Sequence, residues 1–183
     1  MSEIHPLIAL RRSGRLIDPS RSIPDETLES LLEAARWAPS CMNNQPWRIV
    51  VSRADSLDRV KSCLSRGNGW ALAAPLILTF TSTPGLGCQI SGRDYYPLDL
   101  GLAIENLLLQ GTHLGLVVHP IAGFDEAGVK SVLRIHDEYR IHALVVAGYP
   151  GTPETADPAL LERERAPRVR KPLEEVVRWE MFS

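Results

Sequence analysis

Ala38-Pro39-Ser40-Cys41-Met42-Asn43-Asn44-Gln45-Pro46-Trp47 joins an amphipathic helix to an apolar strand, with far more chemistry than a connection needs. Its prolines fix φ and its asparagines tolerate tight backbone conformations, so the loop is shaped rather than slack. Its amides donate and accept at once, as recognition of a heterocycle requires. Upstream, Pro24 suits a first helical turn and Asp25 and Glu26 suit its positive end. Leu28, Leu31, Leu32 and Ala35 keep i, i+3, i+4, i+7 spacing until Pro39 stops the helix. Downstream, Ile49-Val50-Val51 reads as a buried strand.

Working outward, residues 3–11 can form a short helix with Ile4, Leu7 and Ile8 on one side. Arg11-Arg12-Ser13-Gly14-Arg15 follows, either an anion-binding group or a solvated charged turn. Beyond the opening loop, 55–64 reads as a helix, Gly67-Asn68-Gly69-Trp70 as a break, and Leu76 to Phe80 as a second strand. Residues 83–94 are glycine-rich and polar, a surface loop or a lid on the substrate side. The helix from about Leu98 to Leu114 is apolar on almost every side and needs cover, from inside one subunit or from a second. Leu116-Val117-Val118 is a third strand, ending in His119-Pro120-Ile121-Ala122-Gly123-Phe124, and Asp125 caps the next helix. Ile141 to Tyr149 is a fourth strand, 158–164 a possible helical turn, and Arg168-Val169-Arg170-Lys171 a basic run in the tail. Helices alternating with short apolar strands give an α/β or α+β class with one central sheet.

At 183 residues, 44% hydrophobic and 23% charged, the chain is expected to be a single globular domain over 1–183. A net charge of −2 argues against a general nucleic-acid binder. Cys41, Cys63 and Cys88 are odd in number and lack C-x-x-C spacing, so no disulfide is expected and a reducing compartment is. No apolar signal region follows the N-terminal charges, and Leu98 to Val118 is too polar to span a membrane; a cytoplasmic location is the expectation. The five histidines show no metal-ligand spacing; His142, inside a strand, reads as a satisfied core or edge residue. There is no G-x-G-x-x-G after a strand, no Walker A sequence and no G-x-S-x-G elbow. A nucleophilic Cys41 would need a histidine or helix N-terminus that the sequence does not place beside it. What remains is polar recognition plus cations, the pattern of a site in which a cofactor carries the reaction.

In order over nearly the whole chain, Arg11-Arg12-Ser13-Gly14-Arg15, Ala38-Pro39-Ser40 through Asn43-Asn44-Gln45-Pro46-Trp47, Pro120-Ile121-Ala122-Gly123-Phe124, and the basic segment before Pro172-Leu173-Glu174-Glu175-Val176-Val177 resemble the nitroreductase family of FMN-dependent oxidoreductases. The resemblance implies an α+β fold, a three-layer α-β-α sandwich with a central mixed sheet. It also implies an intertwined homodimer with FMN sites at the interface, the segment from about 168 to 183 packing on the partner subunit.

Carried over by position, Arg11, Arg12, Ser13 and Arg15 would hold the phosphate and polar edge of FMN, completed by Arg168, Arg170 and Lys171. Paired charge-assisted hydrogen bonds from arginine suit a phosphate monoester. Pro39, Ser40, Cys41, Asn43 and Gln45 would reach the flavin from the other subunit, and Asn68 would add a pyrimidine-side contact. Pro120, Ile121, Ala122 and Gly123 would lie against one ring face, with a backbone N–H near Ala122 or Gly123 aimed at flavin N5. Arg15 would stand near N1 and O2, where negative charge gathers on reduction. No protein group is assigned as catalyst and no metal is expected: NAD(P)H, a transient co-substrate, would deliver a hydride to N5, and a nitroaromatic, quinone or activated alkene would take it. The alternatives are a dehalogenating or flavin-fragmenting flavoprotein of the same fold, or a non-catalytic flavin binder. Ala122 stands where some members are acidic, Gly14 where bulkier residues are common, and the substrate-covering insertion is reduced to the Gly85 to Tyr96 region.

Overall fold

The computed structural model of the chain describes residues 3–182; Met1, Ser2 and Ser183, part of the single-domain expectation, lie outside the described residues. α1 (Pro6–Leu10) is short, and the Nδ1 of His5 accepts the Leu7 N–H at 3.2 Å to cap it. α2 (Asp25–Arg36) begins after Pro24 and buries Leu28, Leu31 and Ala35, the face its spacing predicted. β1 (Arg48–Ser52), α3 (Asp55–Lys61) and β2 (Leu76–Ser82) follow, with a 3-10 stretch at Arg66–Ala73 before β2. β2 is buried along its whole length, as a strand between two covered faces must be.

The 83–94 region carries a 3-10 turn at Pro84–Leu86 and the two-residue strands β3 (Gln89–Ile90) and β4 (Arg93–Asp94). Next come α4 (Tyr96–His113), β5 (Val117–Ile121), α5 (Glu126–Leu133), β6 (Arg140–Gly148), α6 (Pro158–Arg165) and α7 (Leu173–Val176). β5 continues through His119 and Pro120 rather than stopping at Val118. Proline is tolerated there because β5 is an edge strand. Asp125 does precede α5, but its side chain makes no capping hydrogen bond.

The main sheet has the order β1-β2-β6-β5. Leu76, Leu78 and Phe80 of β2, with Val145 and Ala147 of β6, pack on Leu31 of α2 and on Leu100 and Leu107 of α4. The alternate residues Ile77, Leu144 and Val146 pack on Leu57 and Val60 of α3 and Val129 of α5. Two cores, one on each sheet face, make the α-β-α layering. Polar side chains lock α4 to α2: Asn106 Nδ2 donates to Ala34 O at 3.1 Å, and Gln110 Nε2 to Ser30 Oγ at 2.8 Å. Gly111 lets α4 approach β5, since a Cβ there would stand 2.5 Å from Val118 Cγ1.

The expected mixed sheet is corrected. Among the described residues every strand pair is antiparallel. β2 and β5 run parallel to each other with α4 between them in sequence, as in a crossover, but β6 is inserted between the two and opposes both. α4 is corrected in part as well. It is buried on the α2 and sheet side, yet Leu98 (58% exposed) and Leu102 (37%) lie open on the other. No helix among the described residues is long and apolar enough to cross a membrane. His142 is the extra residue of a β-bulge, since Phe80 faces Ala143 and Thr81 faces Ile141. Its ring meets Tyr96 edge-on at 5.5 Å, and its buried Nε2 has no hydrogen-bond partner among the described residues, so it is not the satisfied histidine expected.

Candidate active site

The opening loop is held in a left-handed twist, with Met42 at φ 51°, Asn43 at 56° and Gln45 at 48°. Its polar groups serve the loop itself. Ser40 Oγ accepts the Gln45 N–H at 2.9 Å, Ser40 O accepts the Asn43 N–H at 3.0 Å, and the Gln45 amide folds back on Asn43 O at 3.3 Å. Pro39 and Asn43 are exposed, Ser40, Cys41 and Gln45 half-buried. The bracketing tryptophans part company: Trp47 enters the core and Trp37 lies on the surface beneath the Arg36 guanidinium.

The loop is pinned to the start of α4, where Asp99 Oδ1 accepts the Cys41 N–H at 3.1 Å. It is also joined covalently to the 83–94 region by a Cys41–Cys88 disulfide, which corrects the expectation of none. The two cysteines are 47 positions apart, a distance no spacing rule reads. The N-terminal turn of α4 brings them together, because the Tyr95 N–H donates to Cys88 O at 3.0 Å while Asp99 holds Cys41. Cys63 is free.

The arginines divide. Arg11, Arg168 and Arg170 line one cleft of about 470 Å³, with Ile4, Ile8, Ala9 and Glu105. Arg168 donates from Nη1 to Arg11 O at 2.8 Å and from Nη2 to Ala9 O, so the tail docks on the first helix of its own chain. Arg11 Nε lies 3.7 Å from Glu105 Oε1. Arg12 turns away to Glu164 of α6, donating from Nη2 to its carbonyl. Lys171 is exposed and pairs with Glu175 at 3.6 Å, outside that cleft. Ser13 is half-buried between Arg12 and Gly14.

Arg15 lies in a different cleft beside Trp70, its guanidinium carbon 5.9 Å from the ring centroid. Trp70 in turn stacks at 4.6 Å on His119, whose Nδ1 stands 2.9 Å from Gly14 O. A carbonyl only accepts, so Nδ1 carries the proton. Burial is the main force holding the His119 pKa below the usual imidazole value; the Gly14 bond opposes it and the Arg15 charge adds to it. Glu164 completes the cluster by accepting the Arg15 N–H at 2.9 Å. Gly14 is closely packed here: a Cβ would stand 2.9 Å from Glu164 Oε1, the mobile end of that side chain, and 3.4 Å from Val117 Cγ1.

At the end of β5, Ala122 is exposed, Pro120 and Gly123 are half-buried, and Ile121 belongs to the core. Gly123 O accepts the Ser65 N–H at 3.1 Å and Asn68 Nδ2 at 2.8 Å. A Cβ on Gly123 would stand 2.5 Å from Ser65 Oγ and 2.8 Å from Asn68 Nδ2, so a side chain there would have to displace the groups that close the turn. Asn68 thus braces the turn.

A sequence model of the nitroreductase family matches residues 8–149. The chain belongs to the nitroreductase family. Within the family it is 30% identical over 194 residues to the NADH dehydrogenase of Thermus thermophilus, a match covering 86% of each chain. Among solved structures, an oxidoreductase containing FMN superimposes with a TM-score of 0.88 at 30% identity, over 100% of this chain and 94% of its own. A Desulfovibrio desulfuricans protein in complex with FMN superimposes with a TM-score of 0.78 at 25% identity, over 97% of this chain and 96% of that one.

As a nitroreductase the chain is an oxidoreductase, and its donor set can be tested against FMN. Three guanidinium groups on one cleft, set against the single carboxylate of Glu105, leave the net positive charge that a phosphate dianion calls for. The close-packed turn at Gly123 presents backbone with no side chain at its centre. The residues fit. Sequence reasoning had no hold on Trp70, His119, Glu164 and Asp99; the one usable signal was His119 standing directly before the Pro120 motif.

Proposed function

We propose that this nitroreductase binds FMN at a site shared between two subunits and works as an NAD(P)H-dependent oxidoreductase. The observation that carries the reading is the convergence of Arg11, from the beginning of the chain, with Arg168 and Arg170, from its end, on one cleft. When bound, FMN supplies the hydride relay, from the nicotinamide through flavin N5 to a small acceptor such as a nitroaromatic, a quinone or an activated alkene.

The chain's own residues bind and orient. Arg11, Arg168 and Arg170 take the phosphate, with Ser13 two residues further along the chain from Arg11, while Arg12 and Lys171, which face Glu164 and Glu175, lie outside that cleft. Arg15, steadied by Trp70, faces the pyrimidine edge and stabilises negative charge there. The Ala122 or Gly123 N–H donates to N5 from a turn that Asn68 keeps rigid, with Pro120 and Ile121 behind it. The 38–45 loop serves the flavin of the other subunit, with Pro39 and Asn43 on its outer surface, Cys41 half-buried, and Ser40 and Gln45 setting its shape. None of these loop residues lines the cleft of Arg11. The homodimer reading is supported by Leu98 and Leu102 on α4 and by the exposed Trp179, Met181 and Phe182 of the tail, apolar groups that a second subunit would cover.

The test is an absorption spectrum of fresh protein before and after anaerobic addition of NADH or NADPH. Yellow protein bleached by a nicotinamide is the expected result. Colourless protein that takes up no added FMN overturns the reading.

A further inference from the structure

The Cys41–Cys88 disulfide fastens two segments of very different solidity. Cys41 belongs to the braced loop described above, hydrogen-bonded within itself and to Asp99. Cys88 belongs to a stretch with little else to hold it. Residues 89–94 are all exposed, and the tip turns through Ser91 (φ 52°) and Gly92 (φ 75°). Among the described residues β3 and β4 pair only with each other, outside the main sheet. The stretch meets α4 through the Tyr95 N–H bond to Cys88 O and through Gly87, which lies against Tyr96. Few buried contacts and an exposed backbone define a segment of low local stability.

We infer that Cys41–Cys88 is a reversible redox tether, opened by a dithiol and closed by a small disulfide, which fixes or frees residues 84–94 above the 38–45 loop. Both cysteines are half-buried, so a solvent thiol can reach them. In opening, a dithiol's thiolate attacks one sulfur to form a mixed disulfide and expel the other cysteine as a thiolate, which takes a proton. The reductant's second thiol then resolves the mixed bond. Two electrons pass to the protein, whose products are two thiols, and the reductant leaves as its disulfide. Closing is the same exchange run backwards with a disulfide such as oxidised glutathione. The anchors on α4 keep the Cα atoms, 6.1 Å apart in the closed state, within reach of one another for re-closure. Resting on the flavin reading above, the tether would set how open the acceptor side of the site is.

The test uses the full-length chain and needs neither flavin nor turnover. Alkylation under denaturing conditions without reductant should find one thiol, Cys63, and after dithiothreitol all three. Three thiols before reduction, in protein handled in air, overturn the proposal. Hydrogen exchange by mass spectrometry should show peptides covering 84–95 exchanging roughly tenfold faster after reduction, with β2 and β6 unchanged and the slow rate restored by oxidised glutathione. Cys88→Ser and Cys41→Ser should each show the fast rate without reductant. Equal exchange in oxidised and reduced protein overturns the proposal. A colourless protein that still shows the two exchange rates would defeat the flavin reading alone.

Discussion

His119 donates through Nδ1 to the carbonyl oxygen of Gly14 across 2.9 Å, and this bond ties the arginine loop to β5. The loop of Arg11 to Arg15 and the strand that leads into the turn at Ala122–Gly123 are therefore linked through one buried imidazole, stacked on Trp70. Its pKa lies below the ordinary 6.5, as does that of His142, in both cases chiefly through burial. A histidine whose folded pKa is depressed contributes stability that is present above the unfolded value and lost as pH falls through it toward the folded value. Urea unfolding should therefore show stability falling as pH drops below the ordinary imidazole value of about 6.5. His119→Asn should flatten that decline. A wild-type profile that stays level would remove both histidines from the explanation.

The tail and the first helix should contribute to flavin affinity separately from Lys171. Arg11→Ala or Arg168→Ala should weaken FMN binding by about 1.5–3 kcal/mol, the range for a lost charge-assisted hydrogen bond. Lys171→Ala, which removes only an exposed pair with Glu175, should change it little. Fluorescence titration of the apoprotein measures all three. Equal losses at Arg11 and Lys171 would mean a diffuse electrostatic field rather than a cleft.

Gly111→Ala sets two effects against each other. Alanine is better than glycine in a helix by about 1 kcal/mol. The new Cβ would however meet Val118 Cγ1 at 2.5 Å and Cγ2 at 2.9 Å, in a strand that cannot easily retreat. Overpacking of this kind costs about 1–3 kcal/mol, so a net loss of stability is expected in thermal unfolding. A raised midpoint would show that α4 and β5 are free to separate.

Leu98 and Leu102 should matter only to assembly. Replacing both by Glu changes no contact of the buried face of α4, yet places charge on its open apolar stripe. Light scattering should give twice the chain mass for the native protein and the chain mass for the variant. A native monomer that binds FMN would contradict a shared site.

The periodic elements were legible because their signals are local. α2 lies within a residue or two of where Pro24, Leu28, Leu31 and Ala35 put it, and the buried strands coincide with short apolar runs. The insertion of β6 between β2 and β5 was not legible, since pairing order leaves no mark on either strand. The motif residues were visible as polar clusters, but their partners were not. Gly14 is packed against Glu164, 150 positions away, and Cys41 meets Cys88 because α4 begins where it does. Such relations are made by tertiary approach, which no window of sequence contains. The same limit explains Arg11 and Arg12, whose acidic neighbours Glu105 and Glu164 come from distant parts of the chain.

The strand order also bears on how the chain is made. β2 is complete at residue 82, yet its inner neighbour β6 begins only at Arg140. A chain emerging from the ribosome therefore holds a strand destined for complete burial paired on one edge alone for the time needed to synthesise nearly sixty more residues. Until β6 arrives, both faces of the sheet lack the same keystone, and neither core can close before the other. The last strand translated is the one that lets the molecule finish.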